Sequence, residues 1–247
     1  MPETNYLHNY ISPVRLRRIT ALIPGRCLLC RSATHKPLCD ECNSELPPLG
    51  HACPRCAEPM PRSELCGRCQ QNKRSAALHC TLSPLRYEWP TDYLVQRFKF
   101  QSDLAAGRSL AEQLASAARF HMADQRCRPD LLLPMPLHGS RRRHRGFNQS
   151  AELALQLGYQ LGIPAALSVA QRVRATTTQS LLPAAQRAGN LRGAFAVDAA
   201  VAGLHVAIID DVMTTGSSVI ELANAARRAG AKQVDAWVAT RAPAPGR

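Results

Sequence analysis

The stretch VAIIDDVMTTGSS, residues 206–218, decides how the rest of the chain is read. Residues 206–209 are all apolar, the pattern of a parallel strand buried on both faces. The predicted strand stops at Ile209 and is followed at once by Asp210 and Asp211. Sites in open α/β sheets form at the carboxyl ends of strands. Two adjacent carboxylates there repel each other unless hydroxyls or cations meet them. The vicinal hydroxyls of a ribose, or a magnesium-bound sugar phosphate, have the right chemistry. The following residues enter a predicted helix, whose free N–H groups and positive dipole end attract an anion. Thr214, Thr215, Ser217 and Ser218 add hydroxyl donors, and Gly216 lets backbone approach closely. An ordinary strand-to-helix turn explains a cap, but not two acids followed by four hydroxyl residues and a glycine. The stretch reads as a cradle for a phosphate monoester beside an acidic pair.

Strand and helix alternate around this stretch. Residues 130–136 (DLLLPMP) predict a short buried strand stopped by prolines, and 148–161 a helix with Asn148 as cap. Further strands are predicted at 166–172 and 234–240, and helices at 183–191 and 217–229, the last closed by Gly230. This alternation predicts an α/β fold, a parallel sheet covered by helices on both faces. Upstream, 87–125 carries apolar residues three and four apart, a helical period. Residues 70–83 read as a linker, and 15–22 as a short helix.

Ten cysteines are many for 247 residues. Eight form four CxxC pairs: Cys27 and Cys30, Cys39 and Cys42, Cys53 and Cys56, Cys66 and Cys69. A CxxC turn places two sulfurs on one metal, and two turns complete a tetrahedral thiolate site. The set predicts two structural zinc ions in a reducing, cytoplasmic setting, where disulfides are rare. Spacing admits two pairings, sequential (first with second, third with fourth) or cross-braced (first with third, second with fourth). Cys80 and Cys127 read as small apolar residues, and His35 and His51 as solvated. With four sulfurs at each ion no open position is left for catalysis.

The chain carries 31 Lys and Arg against 18 Asp and Glu, a formal charge of +13, and only four of the cations are lysines. Each four-thiolate zinc centre contributes −2, so two of them lower the charge to about +9. A basic, arginine-dominated balance suits a phosphorylated substrate or a polyanion. Apolar residues make up 45% of the chain and aromatics 5%, so the core is mainly aliphatic and a stacking platform for single strands is disfavoured. The sequence shows neither a secretory signal pattern nor an apolar run of membrane-spanning length.

Residues 206–218 resemble the phosphoribosyl pyrophosphate (PRPP) motif of type I phosphoribosyltransferases: four apolar residues, two acids, an apolar residue, any residue, then Thr-Thr-Gly-Ser. LPMPLHGSRRRHRGFNQSAELA (133–154), RFKFQSDLAAGRSLAEQLA, RATTTQSLLPAAQRAGNLRGAF and the cysteine-rich head are similar to the ComF family of competence-associated proteins. The similarity spans roughly 25–241. It implies a type I phosphoribosyltransferase-like sheet flanked by helices behind a small N-terminal zinc-ribbon domain. The implied organisation is a basic leader (1–26), a double zinc ribbon (27–75), a helical hood (84–128), a phosphoribosyltransferase-like domain (129–241) and a disordered tail (242–247).

The same resemblance implies residue roles. Asp210 and Asp211 face the ribose hydroxyls and, with Arg174, form the catalytic set. Val212, Met213, Thr214, Thr215, Gly216 and Ser217 bind the 5′-phosphate side of PRPP. Met135, Pro136, Arg141, Arg143 and Arg145 meet the pyrophosphate with magnesium. Gln149 faces the site. A loop over 172–182, with Thr176 and Gln179, closes over the reaction, and Arg187 and Asn190 anchor it.

The family resemblance links the chain to DNA uptake in natural transformation and to nucleoside metabolism. Two functions of different class follow. One is an enzyme that uses PRPP and magnesium to transfer phosphoribosyl to or from an acceptor. The other is a non-catalytic cytoplasmic adaptor that grips single-stranded DNA, or a helicase of the DNA-translocation machinery, through basic surface and zinc ribbons.

Overall fold

The computed structural model describes residues 25–71, 73–124, 127–137, 147–174 and 193–243. Several expectations lie outside them: the leader helix at 15–22, the arginine run at 141–146 with Arg141, Arg143 and Arg145, Thr176 and Gln179, the helix at 183–191 with Arg187 and Asn190, and the tail beyond 243. The chain divides into two compact units, Met1–Leu46 and Pro47–Arg247.

In the first unit β1 (Gly25–Arg26) pairs antiparallel with β2 (Ala33–Thr34), and α1 (Asp40–Ser44) follows. Cys27, Cys30, Cys39 and Cys42 converge between them. The Cys39 amide donates to Cys27 Sγ at 3.4 Å, an N–H···S bond that favours the thiolate a metal needs.

The second unit is a five-stranded parallel sheet with helices on both faces, as the alternation predicts. Its strands are β3 (Thr81–Leu82), β4 (Leu85–Arg86), β5 (Leu131–Pro134), β8 (His205–Met213) and β9 (Gln233–Arg241), in the order β3-β9-β8-β5, with β4 also on β9. On one face lie α3 (Thr91–Phe100), α4 (Leu104–His121) and α5 (Gln149–Leu161); on the other lies α6 (Ser217–Arg228). Side chains alternate across a strand. Val206 and Ile208 of β8 and Val234 and Ala236 of β9 therefore join Leu222, Ala223 and Ala226 of α6 in one core cluster. On the opposite face Phe98 packs onto α4 at Gly107, where a Cβ would come within 2.5 Å of the ring.

Three elements differ from the reading by pattern. β8 runs four residues past Ile209, because β9 continues beside it: Asp210 pairs with Val238, Val212 with Thr240 and Met213 with Arg241. The stretch read as a linker, 70–83, takes in the end of α2 (Gly67–Gln71), a 3-10 turn (Lys73–Ala77) and β3, which is too short to show a period but completes the sheet edge. The strand expected at 166–172 shortens to β6 (Ala170–Arg172). It pairs antiparallel with β7 (Phe195–Val197), outside the main sheet.

The second cysteine set belongs to this unit. Cys53, Cys56, Cys66 and Cys69 pack with Met213 and Val238 of the sheet. Arg241, 0% exposed, ties them together. Its guanidinium pairs with Glu58 and donates to the carbonyls of Cys56 (3.1 Å), Met213 (3.1 Å) and Ala242.

Candidate functional site

A cavity of ≈ 330 Å³ opens at the carboxyl ends of β5 and β8. The overhang of β8 beyond β5 makes one wall, because β5 ends at Pro134 opposite Ile209. Asp210, Asp211, Val212, Met213, Thr214, Thr215, Gly216 and Ser217 all line it, with Ser218 and Val219. Met135, Pro136 and Leu137 of the turn after β5 form the facing wall, with Lys99, Gln149, Ser150, Tyr87 and Arg172 around the rim.

The acids are held by local chemistry. Ser150 Oγ, in the first turn of α5, donates to Asp210 Oδ1 at 2.9 Å, and the Asp211 amide donates to the same oxygen at 3.0 Å. Lys99 Nζ stands 3.1 Å from Asp211 Oδ1. Thr240 Oγ1 donates to the Asp211 carbonyl at 3.1 Å and fixes the strand beneath. Burial and the adjacent Asp211 charge push Asp210 up from the ordinary 3.8 to about 7, against the pull of Lys99 and the two hydrogen bonds. A pocket with one carboxylate poised near neutrality and a second on a lysine can accept hydroxyl donors or a divalent cation.

The loop after β8 places hydroxyls and a glycine at the start of α6. Gly216 takes φ +75° and opens α6 as its N-cap residue. A Cβ there would come within 2.4 Å of Met213 Cε. Thr215 Oγ1 and Ser217 Oγ lie 3.0 Å apart, and the Ser217 amide donates to Thr215 Oγ1 at 3.4 Å. Across the pocket, Asn148 caps α5 by accepting from the Ser150 amide at 3.1 Å. Its own amide donates to the Met135 carbonyl at 3.1 Å, which fastens the facing turn to the helix carrying Ser150.

Arg174 is exposed and is not among the lining residues; Arg172, two residues earlier, is. Gln149 lines the cavity and its amide nitrogen lies 3.5 Å from the Lys99 carbonyl. Lys99 and Ser150 are residues that pattern reading did not single out. Lys99 carried one available signal: it is one of four lysines in an arginine-rich chain.

The cysteines gather as two sequential tetrads, Cys27, Cys30, Cys39 and Cys42, and Cys53, Cys56, Cys66 and Cys69; the cross-braced pairing does not form. Cys30 Sγ and Cys39 Sγ lie 3.6 Å apart, and Cys56 Sγ and Cys66 Sγ 3.7 Å. Zinc–sulfur bonds of about 2.3 Å in a tetrahedron give sulfur separations of about 3.8 Å, so both sets fit a zinc ion. His35 and His51 are exposed and outside both tetrads. Among the described residues no helix is long and apolar enough to cross a membrane.

A family model described as a double zinc ribbon domain matches residues 18–70. DNA utilization protein YhgH of Salmonella typhimurium is 37% identical over 223 residues, covering 87% of this chain and 96% of that protein. Competence protein F of Haemophilus influenzae is 32% identical over 225 residues, covering 88% and 97%. Among solved structures, purine phosphoribosyltransferase from Pyrococcus horikoshii Ot3 is similar with a TM-score of 0.32 and 16% identity, over 66% of this chain and 86% of that one.

Proposed function

The chain belongs to the ComF family of competence and DNA-utilization proteins, and from that premise we propose that it binds PRPP with magnesium and transfers phosphoribosyl to or from an acceptor. One observation carries the reading: an acidic pair and a hydroxyl-rich helix N-terminus line the same cavity. Asp210 and Asp211 take the ribose hydroxyls. The Thr214, Thr215 and Ser217 hydroxyls, with the first amides of α6, take the 5′-phosphate. The turn of Met135 and Pro136 receives the diphosphate, with Arg141, Arg143 and Arg145 supplying positive charge. The acids and the diphosphate would hold magnesium, which would supply positive charge against the leaving diphosphate. Arg174, Thr176 and Gln179 belong to the segment that excludes water during transfer. Eight cysteines in two zinc sites require a reducing compartment, so the working location is the cytoplasm. The biological setting in this reading is DNA uptake and use, in keeping with relatives named for DNA utilization and for competence.

Calorimetry with PRPP and magnesium tests the reading. The Asp210→Asn, Asp211→Asn double variant is expected to lose at least tenfold in affinity, and undiminished binding by that variant overturns the ribose assignment. The formal charge of +13 favours a second reading, in which the chain is an adaptor on single-stranded DNA or its translocation machinery. That reading predicts DNA binding that survives the double substitution.

A further inference from the structure

At the opposite end of the sheet, where the strands begin, lies a second cluster of ligating side chains. His79 and Cys80 immediately precede β3, and Asp235 is the third residue of β9. A His79 ring nitrogen, Cys80 Sγ and an Asp235 carboxylate oxygen all lie within 4.8 Å of one another. We propose that His79, Cys80 and Asp235 form a third metal site, for a divalent ion of zinc type, about 10 Å along the sheet from the acidic pocket, because Asp235 lies opposite Ala207, three residues before Asp210 at ~3.3 Å per residue.

The site is built on rigid backbone. The His79 amide donates to the Val234 carbonyl at 2.8 Å, and the Ala236 amide donates to the Cys80 carbonyl at 2.9 Å. These two bonds flank Asp235 and set all three ligands in register. Asp235 is 0% exposed, so its carboxylate needs a cation or a full set of donors. One oxygen is held from behind: His205 Nε2 donates to Asp235 Oδ2 at 2.7 Å, while His205 Nδ1 faces the Arg128 carbonyl at 3.1 Å. The other oxygen, Oδ1, lies 3.2 Å from His79 Nδ1. Such an outer histidine orients a ligating carboxylate.

The donor set selects the ion. Imidazole nitrogen, thiolate sulfur and carboxylate oxygen together suit zinc, whereas magnesium and calcium take oxygen ligands. His121, the last residue of α4, brings Nε2 to 3.7 Å from Cys80 Sγ and stands next to the fourth position. The Gln233 amide nitrogen lies 3.1 Å from both His79 Nδ1 and His205 Nε2 and closes one side. His79 is exposed, which leaves a path for entry. Unlike the two tetrads, this site has mixed ligands and three of them rather than four, so its ion exchanges with solvent more readily.

The test is a calorimetric titration of zinc chloride into full-length protein already carrying one ion in each tetrad, with bound zinc counted by native mass spectrometry. Wild type is expected to take up one further equivalent, three in all. His79→Ala and Cys80→Ser are each expected to weaken that last uptake at least 100-fold and to stop at two, with thermal unfolding showing that both fold. His79 is exposed, so its variant decides the matter even where Cys80→Ser fails to fold. Wild type that stops at two ions, or third-ion uptake unchanged in His79→Ala, overturns the proposal.

Discussion

The Lys99 ammonium, carried on α3, stands 3.1 Å from Asp211 Oδ1, while Asp210 beside it is met by a serine hydroxyl and a backbone amide. The two acids are therefore not equivalent. Asp211 is held as an ion pair. Asp210 has its pKa raised to about 7 by burial and by the charge of its neighbour. Two carboxylates that share a site divide in this way when a single cation is closer to one of them.

This asymmetry has a sign in stability. Folded Asp210 keeps a proton up to about pH 7, whereas the unfolded chain gives it up near the ordinary 3.8. The folded state binds more protons between those values, so stability falls as pH rises through that window and stays lower above it. Asp210→Asn removes the effect. Its stability relative to wild type, from urea unfolding, is expected to be more favourable at pH 8 than at pH 5.5. An equal difference at both pH values contradicts the assignment.

Lys99 holds the Asp210 pKa down. Lys99→Met is expected to move the Asp210 titration midpoint upward from about 7, read by carboxyl carbon NMR. PRPP affinity in the variant then peaks at higher pH than in wild type. A midpoint that stays put separates Lys99 from the acidic pair.

Arg241 joins the second cysteine tetrad to the end of β8 by pairing with Glu58 and donating to the Cys56 and Met213 carbonyls. Arg241→Met leaves the buried Glu58 with only the half-exposed Arg68, 3.6 Å away, and the carbonyls without their donor. The expected loss is about 3–5 kcal/mol by urea unfolding. The Glu58→Met, Arg241→Met double variant is expected to recover part of it, because the buried carboxylate is removed as well and the cation left behind, Arg68, reaches solvent.

Gly216 occupies the left-handed region at φ +75° beneath Met213. Gly216→Ala is expected to cost about 1–2 kcal/mol of stability and to weaken PRPP binding in calorimetry as the loop shifts. Full affinity in this variant argues against a phosphate seated on the loop.

For the adaptor reading, electrostatic binding of single-stranded DNA weakens as a power of salt concentration, each phosphate contact adding about 0.7 to the slope. A chain of formal charge +13 is expected to show a steep slope in fluorescence anisotropy. A flat response excludes contact through the phosphate backbone.

Local sequence determined much of this molecule. Paired acids followed by Thr-Thr-Gly-Ser-Ser, and cysteines two residues apart, are signals a few residues long. Backbone geometry turns them into a loop and metal knuckles wherever they sit. The alternation of strand and helix after residue 130 likewise follows from side-chain period, and the parallel sheet follows from the alternation. Tertiary structure decided what depends on distant partners. CxxC spacing is the same for either pairing, and packing of the second set against Met213 and Val238 fixes it within one unit. Lys99 looks like any helical cation until α3 lies over the end of β8. His79 and Asp235 are 156 residues apart, and only the register of β3 on β9 brings them to 3.2 Å. Periodicity reports which face of an element is buried, and it carries no information about which element lies across from it.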